Sequence, residues 1–143
     1  MLLKQISIFL ENKPGKLAEV TKIFEDNNIN IRALSMADTS DFGILRIIVP
    51  DVDNVYKILK ANHLTVKTTE VLAIKVNDRP GGLYRILSYF AEENINVEYM
   101  YAFVNRSGED AIIIFKVHNI QQAINILVKN NIEIFKYEDI YKI

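Results

Sequence analysis

The sequence predicts an α+β protein made of two βαββαβ units, each with an antiparallel sheet and its helices on one face. Short segments alternate between apolar and other residues, as strands do. Between them, apolar residues recur at the spacing of amphipathic helices. The whole pattern then repeats about 66 residues later. We therefore expect two small domains, at residues 1–68 and 69–143.

The first unit opens with an alternating segment at residues 3–10, which predicts a half-buried strand. Its two faces carry Ile6, Ile8 and Leu10 on one side and Gln5, Ser7 and Phe9 on the other. A helix follows, with Leu17, Val20 and Phe24 on its apolar face. We expect this helix to end near residues 27–28, because asparagine tolerates the left-handed backbone that ends helices.

The rest of the first unit follows from the same two periodicities. The predicted elements are a strand from Ile29 to near Asp38, a hairpin loop at 39–42, a strand at 43–49, a helix with Val52, Val55, Tyr56 and Leu59 on its core face, and a strand at 64–67. Asp51 or Asp53 is expected to cap the second helix through its side chain.

Residues 12–31 and 78–97 share seven identities in 20 positions. The identical pairs are Pro14/Pro80, Gly15/Gly81, Leu17/Leu83, Phe24/Phe90, Asn28/Asn94, Ile29/Ile95 and Asn30/Asn96. After the hairpin loop the offset becomes 68. Segment 64–76 holds the last strand of one unit and the first of the next, without Gly or Pro, so we expect a rigid joint. Residues 135–143 lie beyond the repeat and either lengthen the last strand or form a short arm.

The repeated Pro-Gly segments, at 12–17 and 78–83, each connect a predicted strand to a predicted helix. A helix that starts on such a turn points free N–H groups and a partial positive charge outward, which suits an anion such as a carboxylate. The simpler interpretation is a plain turn with Asn12 or Asp78 as the helix cap. Duplication of the turn and of the Asn-Ile-Asn segments favours a ligand site.

Two βαββαβ units with Asn/Asp-x-Pro-Gly-x-Leu and Asn-Ile-Asn motifs resemble ACT domains, ferredoxin-like modules that bind amino acids and regulate metabolic enzymes. The resemblance covers the whole chain and implies a ligand at an interface between modules. It implies two sites, listed by position as Asn12, Pro14, Gly15, Lys16, Leu17 and Asn30, and as Asp78, Pro80, Gly81, Gly82, Leu83 and Asn96.

The two implied sites differ in chemistry. Asn12 both donates and accepts hydrogen bonds, whereas an ionised Asp78 only accepts and suits an ammonium better. Lys16 adds positive charge to the first turn, while Gly82 leaves room for a ligand to approach the backbone. We expect unequal affinities. Leu10 and Val76 stand where some relatives place a polar ligand contact, so recognition of a polar side chain is not expected there.

Composition argues against several other classes of protein. The net charge is −1 with no basic stripe, which disfavours nucleic-acid binding. Tyr99, Tyr101 and Phe103 alternate like an RNA-binding platform, but packing in the core or a subunit interface is the favoured interpretation. The absence of cysteine excludes disulfides and thiolate nucleophiles. His63 and His118 stand at non-equivalent places, and no spacing predicts a catalytic or metal site.

The resulting hypothesis is a non-catalytic, cytoplasmic, amino-acid-binding regulatory protein that forms a homodimer and uses no cofactor or metal. We expect no contact with membranes, since no apolar run approaches the roughly 20 residues needed to span a bilayer. Two alternatives remain open. One is a regulatory subunit of an amino-acid pathway enzyme, and the other is a structural or protein-interaction module without a ligand.

Overall fold

A computed structural model describes residues 2–38, 41–103 and 110–142. In chain order the elements are β1 (Leu3–Glu11), α1 (Lys16–Asp26), β2 (Ala33–Asp38), β3 (Phe42–Ile48), α2 (Val52–Ala61), β4 (Thr65–Asn77), α3 (Gly82–Glu92), β5 (Val97–Ala102), β6 (Asp110–Val117), α4 (Ile120–Lys129), β7 (Ile134–Phe135) and α5 (Tyr137–Ile140). The predicted order of two βαββαβ units is confirmed. Of the predicted hairpin loop at 39–42, residues 39 and 40 lie outside the described ranges.

The chain divides into two compact units, which we call the N-terminal unit (Lys4–Thr69) and the C-terminal unit (Met1–Leu3 with Glu70–Ile143). In the N-terminal unit the strands lie in the order β2-β3-β1-β4, and in the C-terminal unit in the order β5-β6-β4-β7. All pairs with a defined register are antiparallel. β4 is one uninterrupted strand that supplies residues to both units, where the sequence predicted the last strand of one unit followed by the first strand of the next.

The core of the C-terminal unit lies between one face of its sheet and helices α3 and α4. Phe90 of α3 and Phe115 of β6 meet edge to face, with ring centroids 5.9 Å apart. Around them lie Leu72, Ile74, Val76, Ile86, Ala123 and Leu127, all buried. Because the same sheet face meets both helices, the helices of this unit share one side of the sheet, as predicted.

The structure confirms how the first helix of each unit ends. Asn28 and Asn94 both have a left-handed backbone, with φ 55° in each. The N–H groups of Ile29 and Ile95 then reach back to the carbonyl oxygens of Phe24 and Phe90, each at 2.8 Å. The two chain reversals are therefore equivalent, residue for residue.

Three local predictions in the N-terminal unit are wrong. β2 begins at Ala33 rather than Ile29, because the residues after Asn28 are used in turning the chain. Leu17 is 44 % exposed, so the core face of α1 consists of Val20 and Phe24. β1 is buried on both faces over part of its length: Gln5 and Ser7 are buried, and Gln5 Nε2 donates to Ser7 Oγ at 3.1 Å.

The predicted side-chain cap of α2 is also wrong for Asp51. Asp51 follows Pro50 and has a left-handed backbone (φ 51°, ψ 60°), and its side chain makes no capping hydrogen bond. A side-chain cap requires an extended backbone at that residue. The equivalent Asn119 has one, and its Oδ1 accepts the Gln122 N–H at 3.1 Å. At the C-terminus, the strand and arm alternatives both hold in part, since a two-residue β7 is followed by α5.

Candidate functional site

The two Pro-Gly turns have the same backbone conformation. Gly15 has φ 87° and ψ −12°, and Gly81 has φ 89° and ψ −11°. These angles lie in a region that glycine adopts readily and other L-residues adopt at a cost. A Cβ at either position would meet no atom within 4 Å, so the conformation and not crowding requires glycine there.

Their hydrogen bonds also match at an offset of 66. In the first turn the Lys13 N–H donates to the Glu11 carbonyl at 2.9 Å, the Lys16 N–H to the Lys13 carbonyl at 3.3 Å, and the Glu19 N–H to the Gly15 carbonyl at 3.0 Å. In the second turn the Arg79 N–H donates to the Asn77 carbonyl at 2.9 Å, the Gly82 N–H to the Arg79 carbonyl at 3.0 Å, and the Arg85 N–H to the Gly81 carbonyl at 3.1 Å. The turn is therefore a duplicated structure as well as a duplicated sequence.

Each turn leaves two helix amides available. In the first, these are the N–H groups of Leu17 and Ala18, for which the described part of the chain supplies no backbone partner. Leu83 and Tyr84 are the corresponding residues in the second. Such groups at a helix N-terminus carry the positive end of the helix dipole, so each turn has the electrostatics that favour a carboxylate.

The alternative in which Asn12 or Asp78 caps the helix is wrong. Gly15 and Gly81 occupy the capping positions, and neither helix receives a side-chain capping hydrogen bond. Asn12 and Asp78 are exposed and stand at the start of the two Pro-Gly segments.

The structure does not bring Asn12 and Asn30 together within one unit. Asn12 follows Glu11, which pairs with Phe42 of β3, whereas Asn30 precedes Ala33, which pairs with Ile48 at the other end of β3. The ends of β3 are six residues, or about 20 Å, apart. A site that uses both asparagines must therefore take them from different modules.

The same separation holds for Asp78 and Asn96. The register pairs Asn77 with Asp110 and Val97 with Val117, at opposite ends of β6. His118, which the sequence did not assign, fixes the backbone of Asn96: the Asn96 N–H donates to His118 Nδ1 at 3.0 Å, and the His118 N–H donates to the Asn96 carbonyl at 3.3 Å. His118 is therefore a positioning residue for Asn96. The one sequence signal for this positioning role was a histidine directly after β6.

A cleft of about 540 Å³ lies beside the first turn, within the N-terminal unit. Its walls are the end of β1, the first turn of α1, the start of β3 and the loop before β4, and it is lined by Phe9, Leu10, Glu11, Lys16, Glu19, Val20, Phe42, His63, Leu64 and Thr65. Of the predicted site residues, only Lys16 is among those lining it. Lys16 Nζ lies 3.3 Å from Glu19, and Lys13 Nζ lies 2.7 Å from Glu11.

The cleft therefore presents an ammonium and carboxylates beside two partly exposed aromatic rings, Phe9 and Phe42. Hydrogen bonding to Lys13, and the charge of its ammonium, lower the pKa of Glu11 below its usual range. Oppositely charged groups placed next to apolar rings suit a small zwitterion with an apolar side chain.

The equivalent corner of the C-terminal unit has different chemistry. The positions of Phe9, Phe42 and Thr65 are taken by Lys75, Asp110 and Glu133. Lys75 Nζ lies 3.4 Å from Asp110 and 3.3 Å from Glu133, so the ammonium pairs with both carboxylates. The two corners are therefore unequal in charge and in apolar surface.

The ion cluster predicts a pH-dependent stability. Hydrogen bonding to Glu133 comes first among the causes that raise the pKa of Lys75, followed by the charge of Glu133 and the interactions with Asp110. Because the folded-state pKa of Lys75 lies above the ordinary pKa of lysine, the stabilisation is present below that ordinary pKa and is lost as pH rises through the folded pKa. Lys75→Gln should lower the free energy of unfolding in urea at pH 8, and this deficit should shrink as the pH is raised through the folded pKa of Lys75.

Salt provides a second check, since exposed ion pairs are screened. The deficit of Lys75→Gln should shrink in 1 M NaCl. Lys129→Gln removes a lysine that forms no ion pair within the described ranges, so it should show no such dependence on pH or salt. A Lys75→Gln deficit that stays constant across pH would contradict the assignment.

Gly82 has a packing role that the sequence did not indicate. A Cβ at Gly82 would collide with the backbone carbonyl of Asn77, so the chain itself fills that space. Glycine is needed there for close packing of the turn on the end of β4. On the side of Gly82 where a Cβ would point, the Asn77 carbonyl leaves no room for a ligand.

Other chemistries find no support among the described residues. No group of three or more His, Asp or Glu side chains in this part of the chain is placed to hold a metal ion. Phe103 is buried and Tyr99 and Tyr101 are half-buried, which fits packing better than an exposed platform for bases. No helix within the described ranges is long and apolar enough to cross a membrane.

The fold and the duplicated turns define a pair of small α+β modules of the ferredoxin-like kind. Residues 1–143 match the ACT domain pair family, and the chain belongs to that family. A search of curated protein sequences returned no match.

Several solved structures are similar to the chain. Protein BT0572 from Bacteroides thetaiotaomicron is 41 % identical, with a TM-score of 0.92 over 100 % of this chain and 98 % of that one. The regulatory subunit of aspartate kinase from Thermus thermophilus, in its ligand-free form, is 12 % identical, with a TM-score of 0.63 over 90 % and 93 % of the two chains. The subunit from Thermus flavus is 14 % identical, with a TM-score of 0.63 over 89 % and 90 %. At these low identities the two Thermus structures show a common fold.

Proposed function

We propose that this ACT domain pair is a non-catalytic regulatory protein that binds a free amino acid at its strand-to-helix turns. The observation that carries the proposal is the duplicated turn, in which matching glycine conformations and hydrogen bonds leave two helix amides available for a carboxylate. The ligand residues remain those implied by the motifs: Asn12, Pro14, Gly15, Lys16, Leu17 and Asn30, with Asp78, Pro80, Gly81, Gly82, Leu83 and Asn96 in the second copy.

The geometry of the strands supports a site shared between modules. Because Asn12 and Asn30 lie at opposite ends of one unit, a complete site combines the turn of one module with the asparagine of another. We propose that a homodimer in the cytoplasm supplies such pairs of modules. A ligand bound between modules would then shift a conformational or assembly equilibrium by its difference in affinity for the two states.

We propose that the first turn is the stronger site. The adjoining cleft contains Lys16 and Glu19 for the charged groups of an amino acid and Phe9 and Phe42 for an apolar side chain. In the second copy the corresponding corner is occupied by the Lys75 ion cluster. The expected ligand is therefore an apolar amino acid.

A thermal-unfolding screen with the common amino acids tests the proposal. A ligand at 100 times its dissociation constant should stabilise the protein by about 2.7 kcal/mol. Calorimetry with the best ligand should then show unequal sites, and Gly15→Val should abolish binding at the stronger one, because valine disfavours the left-handed backbone. Gly81→Val should affect only the weaker site.

Asn28→Gly is the matched control, since it alters another left-handed position outside the turn and should leave binding intact. Circular dichroism separates loss of binding from loss of folding, and Gly15→Ala offers a milder change if the valine variant is unfolded. Binding that survives at both turns after both valine changes would show that the site assignment is wrong. A screen without any stabilising amino acid would favour a structural or protein-interaction module.

A second candidate function is a regulatory subunit of an amino-acid pathway enzyme. The fold shared with the Thermus aspartate kinase regulatory subunits favours it. Co-purification of such an enzyme with the tagged full chain, and a change in that enzyme's activity when the amino acid is added, would distinguish this from a regulator that acts alone.

A further inference from the structure

A second concave surface, which we call the α4 groove, lies on the C-terminal unit. It has a volume of about 420 Å³ and is lined by Leu2, Ile124, Val128, Ile132, Ile134, Phe135 and Lys136. This volume falls within the range of about 300–1,000 Å³ that is usual for small-molecule sites. Val128 is 64 % exposed, so the groove opens to solvent along α4.

Among the described residues of the first copy of the repeat, the equivalent face of α2 is more polar. Ile124 and Val128 correspond to Tyr56 and Lys60 of α2. Lys60 Nζ lies 5.9 Å from the centre of the Tyr56 ring, so these two side chains cover that face with a cation and a polar ring. The apolar groove is therefore particular to the second copy and is not required by the fold.

The charge of the groove restricts what it can hold. Of the residues that line it, Lys136 is the one with a charge, and no carboxylate is among them. Lys136 forms no ion pair within the described part of the chain, where its backbone N–H donates to Asp139 Oδ2 at 3.2 Å. A ligand carboxylate could pair with Lys136, whereas a ligand ammonium would meet only apolar side chains and a like charge.

We propose that the α4 groove binds an aliphatic monocarboxylate, with its chain along Ile124 and Val128 and its carboxylate at Lys136. This ligand class differs from the amino acid proposed for the turns, because the groove lacks an acceptor side chain for an α-ammonium group. The groove would let the protein bind a second kind of ligand, chemically distinct from the amino acid at the turns.

Calorimetry with sodium octanoate on the full chain tests the proposal. Octanoate should bind one groove per chain, and shortening it to hexanoate should weaken binding about 15-fold, at about fourfold per methylene. Heptylamine, with the same seven-carbon alkyl chain and a positive charge, should bind at least tenfold more weakly than octanoate. Lys136→Gln should remove most of this preference for the carboxylate.

The first copy of the repeat supplies the matched variants. One variant is Val128→Lys alone, and the other combines it with Ile124→Tyr. Both replace α4 side chains by those at the equivalent positions of α2, and both should weaken octanoate binding at least tenfold. Met100→Lys adds the same charge at another exposed apolar position of this unit and should leave binding unchanged. Val128 is largely exposed, so Val128→Lys should remain folded by circular dichroism.

Several results would overturn the proposal. Octanoate affinity unchanged by Val128→Lys would place the binding elsewhere, and equal affinity for heptylamine and octanoate would remove the role of Lys136. A third result would be that the original chain sediments as a dimer and binds no octanoate, and that Val128→Lys dissociates this dimer. The groove would then bind a second copy of the chain instead of a carboxylate. The amino-acid screen is independent of these outcomes, because its ligand residues lie at the turns.

Discussion

Phe90→Ala should lower the free energy of unfolding by about 3–5 kcal/mol, which is usual for removing a buried aromatic ring. Phe90 is buried in the core of the C-terminal unit and meets the Phe115 ring edge to face. Its loss removes apolar contacts from β6, α3 and α4 together and leaves a cavity. Urea unfolding followed by far-UV circular dichroism measures the change.

The repeat provides a comparison for this variant. Phe24 is the equivalent residue of the N-terminal unit, but the counterpart of Phe115 there is Ile47. Phe24→Ala should therefore cost less than Phe90→Ala by about 0.5–1.5 kcal/mol, the usual energy of an aromatic pair. Tyr84→Ala, on an exposed residue, should stay within about 0.5 kcal/mol. A larger loss for Phe24→Ala would argue against a stabilising role for the ring pair.

Gly82→Lys should destabilise the protein by about 1–3 kcal/mol, although lysine is the residue found at the same place in the first turn. A Cβ at Gly82 collides with the Asn77 carbonyl, and a backbone atom cannot move aside as a flexible side chain can. The reciprocal change, Lys16→Gly, should cost no more than about 1 kcal/mol, the usual penalty of glycine in a helix.

The difference between these two variants tests whether the turns are interchangeable. Thermal unfolding of both, with Gly82→Ala as the smallest possible change, gives the answer. If Gly82→Lys were as stable as the original chain, the close approach of Asn77 would not constrain the turn. Binding of the best amino acid to Lys16→Gly would also reveal how much Lys16 contributes at the first site.

Most of the fold could be predicted from the sequence because it depends on local periodicity and on a repeat. Alternation indicated β1, and the paired Asn-Ile-Asn segments indicated where two helices end. Alternation also placed strands in segment 64–76, although the sequence predicted two strands there and the structure has the single strand β4. Each of these patterns involves only a few neighbouring residues, so the elements can be predicted without knowing which distant residues they contact.

The details that failed depend on conformation or on partners far along the chain. Asp51 has the right side chain for a cap and the wrong backbone angles. The close packing of Gly82 against the Asn77 carbonyl could not be read from the sequence either. The candidate site was predicted at the level of its turns, whereas the cleft beside Lys16 and the ion cluster around Lys75 required strand pairing to bring their residues together.

β4 also limits how the gene for this chain can change. Side chains alternate along a strand with a period of two, so a shift of one residue exchanges the buried and exposed sets. Thr65–Asn77 supplies residues to both units, with Val66 buried in its first part and Leu72, Ile74 and Val76 in the core of the C-terminal unit. Insertion or deletion of a single codon between these positions would turn one of the two sets to the opposite face of the sheet, whereas a change of two codons would keep both sets on their present face.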